Sequence, residues 1–121
     1  HHGAVMTTLK RDGTPHVARI GVALMSDVLW SSGTRGRLRT EHVRRYPRST
    51  LCVLDDANPW AWMGVESHVR ILEGADAPQL NLELYRKLAG EPKDVEEYLA
   101  AMVTEERLIF EFSIDRTYGQ Y

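Results

Sequence analysis

From His16 to Leu24 the chain alternates between two faces, with His16, Ala18, Ile20, Val22 and Leu24 on one and Val17, Arg19, Gly21 and Ala23 on the other. A period of two marks a strand, because successive side chains leave opposite sides of the pleat. Ala4 to Leu9 is a shorter run of the same kind. It is joined to the long one by Lys10-Arg11-Asp12-Gly13-Thr14, a hairpin loop with glycine where φ must be positive. After a Ser26-Asp27 turn, Val28 to Ser32 returns as a third strand. Three strands on tight turns form an antiparallel meander, and no helix intervenes to make a βαβ crossover. Doubly wound dinucleotide folds are thereby excluded, and neither a GxGxxG nor a GxxxxGK(S/T) loop occurs.

The remaining punctuation predicts a Gly33–Gly36 break, a short helix from Arg37 to Tyr46 stopped by Pro47, and a strand from Thr50 to Leu54. A long bent strand follows from Trp60 to Leu72 with Gly64 in its interior. Pro78 to Ala89 is an amphipathic helix with Leu80, Leu84 and Leu88 on one side, closed by Gly90; Asp94 to Val103 is another helix, and Leu108 to Ile114 a closing strand. About six strands and three short helices give a β-rich α+β fold. The economical form is an antiparallel barrel with helices at its rim, since closure removes exposed edges.

At 121 residues the chain makes one domain, 1–121, burying roughly two thirds of its unfolded surface. A deep cofactor cleft is more cheaply built against a second copy than inside so small a core. The net charge of −2 points to neither nucleic acid nor an acidic partner. The single cysteine, Cys52, leaves no internal disulfide to form, lies in the apolar run Leu51–Leu54, and fits a reducing, cytoplasmic setting. No stretch reads as a membrane helix or a signal peptide. His1-His2 is a tag remnant or a truncation scar and is assigned no chemistry.

Charge is concentrated in one place. Arg35, Arg37, Arg39, Arg44, Arg45 and Arg48 are opposed locally only by Glu41, so this segment carries +5 and the rest of the chain −7. On a helix, Arg37, Glu41, Arg44, Arg45 and Arg48 share an arc of roughly 100°, while Leu38, His42, Val43 and Tyr46 face the core. Arg39 falls on the apolar side, between Leu38 and Val43. A guanidinium buried without a partner is strongly penalised, so Arg39 needs an anion. Ser31-Ser32-Gly33-Thr34 lies just ahead of the helix start, where free N–H groups favour negative charge. Hydroxyls, N–H groups and Arg35, Arg37 and Arg39 together describe a phosphate site.

These residues carry a resemblance. Gly13-Thr14-Pro15-His16 resembles the turn after the first strand in pyridoxamine 5'-phosphate oxidase-like FMN-binding split barrels. Thr34–Arg39, continued through Val43–Arg48, is similar to their cofactor-phosphate segment. Asn58–Trp62, Leu84–Gly90 and Tyr118-Gly119 are similar to the actinobacterial flavin/deazaflavin oxidoreductase branch, which uses coenzyme F-420 rather than FMN. The resemblance implies a split barrel, a homodimer with cofactor sites at its interface, and hydride transfer to a small organic substrate. It assigns Arg37 and Arg39 to the phosphate, Ser32 to the cofactor wall, His16, Val17 and Ala18 to the ring, and Trp60 to the ring from the other protomer. Arg39 stands where lysine is usual and His42 where asparagine is usual, and the family's N-terminal helix is missing. Arg44, Arg45 and Arg48 suit the carboxylates of the coenzyme's oligoglutamate tail.

Three alternatives remain open on the residues. An FMN-dependent oxidase or reductase keeps the fold. A non-catalytic cofactor- or haem-binding protein keeps the basic face. Nucleic-acid binding is disfavoured by the near-neutral chain and the lack of interleaved aromatic and basic residues. His16, His42 and His68 lie on separate elements without metal-ligand spacing, so no metal is expected. His16 is the sole candidate proton donor, and Trp30, Trp60 and Trp62 are core or interface aromatics.

Overall fold

Two hairpins begin the fold. In the computed structural model, which describes residues 2–121, β1 (His2–Leu9) turns at Gly13 (φ 85°) into β2 (Pro15–Met25). β2 turns at Ser26-Asp27 into β3 (Val28–Thr34). His1 and the side chain of His2, where the tag remnant was read, lie outside the described residues. The chain continues through α1 (Leu38–Arg45), β4 (Arg48–Leu54), β5 (Trp62–Leu72), α2 (Ala77–Ala89), α3 (Val95–Thr104), β6 (Arg107–Phe112) and β7 (Arg116–Gln120). The order β4-β1-β2-β3-β6-β5, with β5 paired back onto β4, closes six antiparallel strands into a barrel; β7 adds to β5 outside that ring.

Inside, the alternation does what the sequence requires. Ala4 and Met6 of β1, Ile20 and Val22 of β2, Leu51 of β4, Val65 and Val69 of β5, and Leu108, Phe110 and Phe112 of β6 fill the barrel, joined by Val43 of α1. Burying an aliphatic or aromatic side chain of this size contributes about 1.5–3 kcal/mol. Outside, the leucine stripe of α2 covers one wall: Leu84 packs with Ala23 and Ile109, flanked by Trp30, Leu80 and Leu88. No described helix is long and apolar enough to cross a membrane.

The β2–β3 ladder is short. It pairs Ala23 with Trp30, Leu24 with Leu29 and Met25 with Val28. Before Ala23, β2 is paired with β1, and from Leu29 to Thr34 β3 is paired with β6. The facing edges of β2 and β3 therefore separate beyond Trp30, and the barrel is split there.

Several boundaries differ from the sequence expectation, for identifiable reasons. Gly33 does not break β3. It continues the strand, opposite Leu108, because the Phe110 ring lies where its side chain would be, at 2.5 Å from an ideal Cβ. Trp60 belongs to the turn ahead of β5, where its N–H donates to Asn58 Oδ1 (3.1 Å), and the strand starts at Trp62. The closing strand ends at Phe112, and β7, which the sequence did not predict, follows it. All five β7 residues are exposed, so no apolar alternation marks it. Helix α1 is rotated from the expected orientation: Leu38 is 59 % exposed and Tyr46 is exposed too, while Thr40, His42 and Val43 are buried. Thr40 takes the inward place through a 2.7 Å bond from its hydroxyl to the Thr34 carbonyl.

Because Phe110 is fully buried and cannot swing aside, Gly33→Ala should destabilise the fold by about 1–3 kcal/mol through overpacking. Urea unfolding of the two proteins measures this. The more open Gly21→Ala, whose Cβ meets nothing within 4 Å, serves as control.

Candidate functional site: a cationic cleft in the barrel split

Where β2 and β3 part, a cleft of about 250 Å³ opens, lined by Arg19, Ile20 and Gly21 of β2, Ser31 and Ser32 of β3, Arg39 of α1 and Leu88 of α2. Each element contributes for a local reason. β2 is bare here because Gly21 has no side chain. Ser32 lies on the outer face of β3, opposite Ile109, while Ser31 and Gly33 face the core. Leu88 is the end of the α2 stripe.

Arg39 is set by how α1 is held. Arg44 makes a two-pronged ion pair with Glu73 just past β5 (2.7 and 2.8 Å), and Arg45 donates to the Leu9 carbonyl (2.9 Å). His42 shares a 2.8 Å hydrogen bond with Thr8, and Thr40 is tied to β3. With those side chains committed, Arg39 is directed at the split. Its Nε is buried and has no hydrogen-bond partner, and among the described residues no carboxylate lies within ion-pair reach of it. Burial, followed by the positive charges of Arg37 and Arg107, pulls its pKa below the usual guanidinium value. Arginine stays protonated regardless, so the buried charge is not removed by losing the proton. Arg37, at the helix N-cap, makes no capping bond and leaves the first N–H groups of α1 without a side-chain acceptor.

The structure brings together Ser32 and Arg39 from the expected set, with Arg37 alongside as a charge. It does not bring Arg35 there. Arg35 is exposed and pairs with Glu106 (3.4 Å), with Glu73 4.0 Å away, facing a separate hollow beside α3. Glu41 is the only acidic residue near the arginines in sequence, but Glu73 and Glu106 reach them from far along the chain. Trp60, 77 % exposed, lies on the β4–β5 turn, from which no residue lines the cleft. Val17 points outward and is 61 % exposed, on the same face of β2 as Arg19. Ala18 and His16 lie on the inward side; the His16 ring meets that of His42 edge-on at 5.2 Å, and no third metal-ligand side chain joins the pair among the described residues.

Sequence reasoning missed Arg19 and Asn81. The signal for Arg19 is a charge between Val17 and Gly21 on one face of a strand. Its guanidinium lies across Gly3, 2.7 Å from where a Cβ would stand. Asn81, buried within α2, accepts a 2.5 Å hydrogen bond from Ser32, and nothing in its neighbourhood of leucines distinguished it.

This six-stranded barrel, parted between β2 and β3, has a fold that recurs among solved structures. No family model matches the chain. Among solved structures it is similar to an F-420 reductase, at 22 % identity and TM-score 0.77, over 98 % of this chain and 90 % of that one. It is also similar to a pyridoxamine 5'-phosphate oxidase-type protein of Listeria innocua (17 % identity, TM-score 0.70, 98 % and 87 % covered). A third is a FAD-binding protein of Mesorhizobium loti (16 %, TM-score 0.66, 97 % and 82 %). At these identities the likeness is one of fold.

His42, hydrogen-bonded to Thr8 and edge-on to His16, gives the fold a pH response. Burial first, then the positive fields of His16 and Arg45, hold its pKa below the ordinary histidine value, so the folded state favours neutral imidazole. The unfolded chain takes up the proton first as pH falls through about 6.5; stability is full above that and declines toward the folded pKa. The urea midpoint should therefore be lower at about pH 5.5 than at about pH 7.5. His42→Gln should flatten that difference.

Proposed function

We propose that this protein is a deazaflavin-dependent oxidoreductase that holds the phosphate of coenzyme F-420 in the barrel split and reduces a small organic substrate. The observation that carries this is Arg39, a cation that lines the cleft and whose buried Nε has no hydrogen-bond partner. The donor set fits a phosphate: Arg39 and Arg19 line the cleft, Arg37 adds charge, and no carboxylate competes among the lining residues. Charge-assisted bonds of this kind contribute about 1.5–3 kcal/mol each. When bound, the deazaflavin supplies the hydride chemistry. The chain's own residues bind the phosphate, present Ser32 to the ligand and close one side with Leu88. His16, on the inward side against His42, is the candidate proton donor only if substrate reaches the barrel end.

The likeness to an F-420 reductase supports the deazaflavin over FMN. Arg44 and Arg45 are less free for the carboxylates of an oligoglutamate tail than their sequence suggests, since Arg44 is taken by Glu73 and Arg45 by the Leu9 carbonyl. FMN in the same cleft is the second reading, favoured by a phosphate site that does not discriminate between the two rings and by the likeness to a FAD-binding protein.

A second copy of the chain completes the site in this proposal. Helix α2 packs on β2, β3 and β6 and α1 packs on β1, and a row of outward-facing residues crosses β2, β1, β4, β5 and β7. Along it run Val17 and Arg19, then Val5 and Thr7, Thr50 and Cys52, Gly64, and Tyr118. This face is continuous with the cleft through Arg19, so a partner seated on it walls the cofactor. Trp60 is then available to a partner's cleft rather than to its own.

Fluorescence titration with F-420 and with FMN tests the assignment: Arg39→Ala should weaken binding by about 2–4 kcal/mol, against well under about 1 kcal/mol for the exposed Arg35→Ala and Arg48→Ala. Equal small losses at all three would remove the anion site, and tight binding of FMN alone would replace the deazaflavin. Val17→Glu should convert a dimer to a monomer in light scattering and weaken cofactor binding with it. A wild-type monomer would overturn the shared site.

A further inference from the structure

Ser32 and Asn81 form a hydrogen-bonded pair whose polarity is set on the protein side. Asn81 is 1 % exposed, and its Nδ2 donates to the Ala77 carbonyl (3.0 Å) and the Leu108 carbonyl (3.5 Å). Those two carbonyls decide which way the amide faces, because the reversed amide would set Oδ1 against two groups that carry no proton. Oδ1 therefore faces Ser32 and accepts its hydroxyl proton at 2.5 Å. Tyr98 of α3 donates to the Asn81 backbone carbonyl (3.1 Å), holding this stretch of α2 from the far side.

A serine hydroxyl has one proton and two lone pairs. With the proton committed to Asn81, Ser32 offers only lone pairs to the cleft. Arg19 and Arg39, in the same cleft, offer only protons. The cleft thus has two poles of opposite kind: a cationic donor pole suited to phosphate oxygens, and a neutral acceptor pole that a phosphate dianion cannot satisfy.

We infer that Ser32 is a specificity-determining contact that accepts a hydrogen bond from a neutral N–H or hydroxyl of the ligand, remote from its phosphate, and that Asn81 is the positioning residue that fixes this polarity. The inference rests on the cleft being the cofactor site. It narrows the ligand class to phosphate esters that also carry a donor within the cleft, a polyol hydroxyl or a ring lactam N–H. Ligands presenting only acceptors there leave Ser32 unpaired and are selected against.

The test compares whole ligands with their anionic part. F-420 and FMN are titrated directly, and inorganic phosphate is titrated as a competitor, against wild type, Ser32→Ala, Ser32→Thr, Asn81→Leu and Arg39→Ala. Ser32→Ala should weaken the binding of whichever cofactor the protein takes about five- to tenfold, the size of one neutral hydrogen bond, and leave phosphate competition unchanged. Ser32→Thr, which retains the hydroxyl, should restore most of the affinity. Asn81→Leu frees the Ser32 proton, so phosphate competition should tighten while cofactor binding weakens, a divergence that a merely structural role for Asn81 would not produce. Equal losses for phosphate and cofactor in Ser32→Ala would mean that Ser32 donates to the anion, and no loss for either would mean no contact; both overturn the inference. Arg39→Ala reads the anion site separately. Undiminished phosphate competition in that variant would overturn the cofactor-site reading, while the Ser32 comparison is still scored on the cofactors.

Discussion

Three residue pairs at one end are all that ladder β2 to β3, and the shape of the molecule follows from where that ladder stops. Each strand is paired on its other side, β2 with β1 and β3 with β6, so both are rigid when they diverge. The edges that face each other across the gap carry backbone donors and acceptors that a closed barrel would have paired. A small barrel gains a polar, solvent-facing recess in this way without giving up its packed interior, where Phe110, Phe112 and Leu51 remain fully buried.

The charge distribution around this recess depends on which arginines find carboxylates. Arg44 and Arg35 meet Glu73 and Glu106, and Arg107 meets Glu105, all at or near the surface, where such pairs add little to stability but do fix geometry. The Arg44–Glu73 pair fastens α1 to the end of β5, and the Thr40 and His42 bonds fasten it to β3 and β1. The helix that delivers Arg39 is therefore oriented by its neighbours in sequence, which leave Arg39 itself without a partner.

Much of this was legible in the residues. The alternation of β2, the Gly13 hairpin, the leucine stripe of α2 and the anomalous place of Arg39 on α1 each rest on periodicity or on a local steric rule, and such rules act without knowledge of the rest of the fold. What was not legible depended on long-range partners. Gly33 looks like a strand breaker until Phe110, far along the chain, is seen to occupy its side-chain space. Leu38 looks like a core residue until Thr40 claims the inward side through Thr34. Arg35 looks like Arg39 until Glu106 is placed beside it. Asn81 gives no periodic signal because its partners come from β3, β6 and its own helix. β7 was invisible for a different reason: a strand exposed on every residue carries no apolar pattern to read.

β6 and β7 lie along the same edge of β5, the first beside Val69–Leu72 and the second beside Trp62–Glu66, with Ser113 and Asp115 bridging the step through His68 and Glu66. The ring of the barrel closes without the last strand. β7 therefore forms a hem on the outer skin, where the Tyr118 ring rests on the bare backbone of Gly64. Drift in its composition would retailor the molecule's exterior contour while the lumen and its opening keep their form.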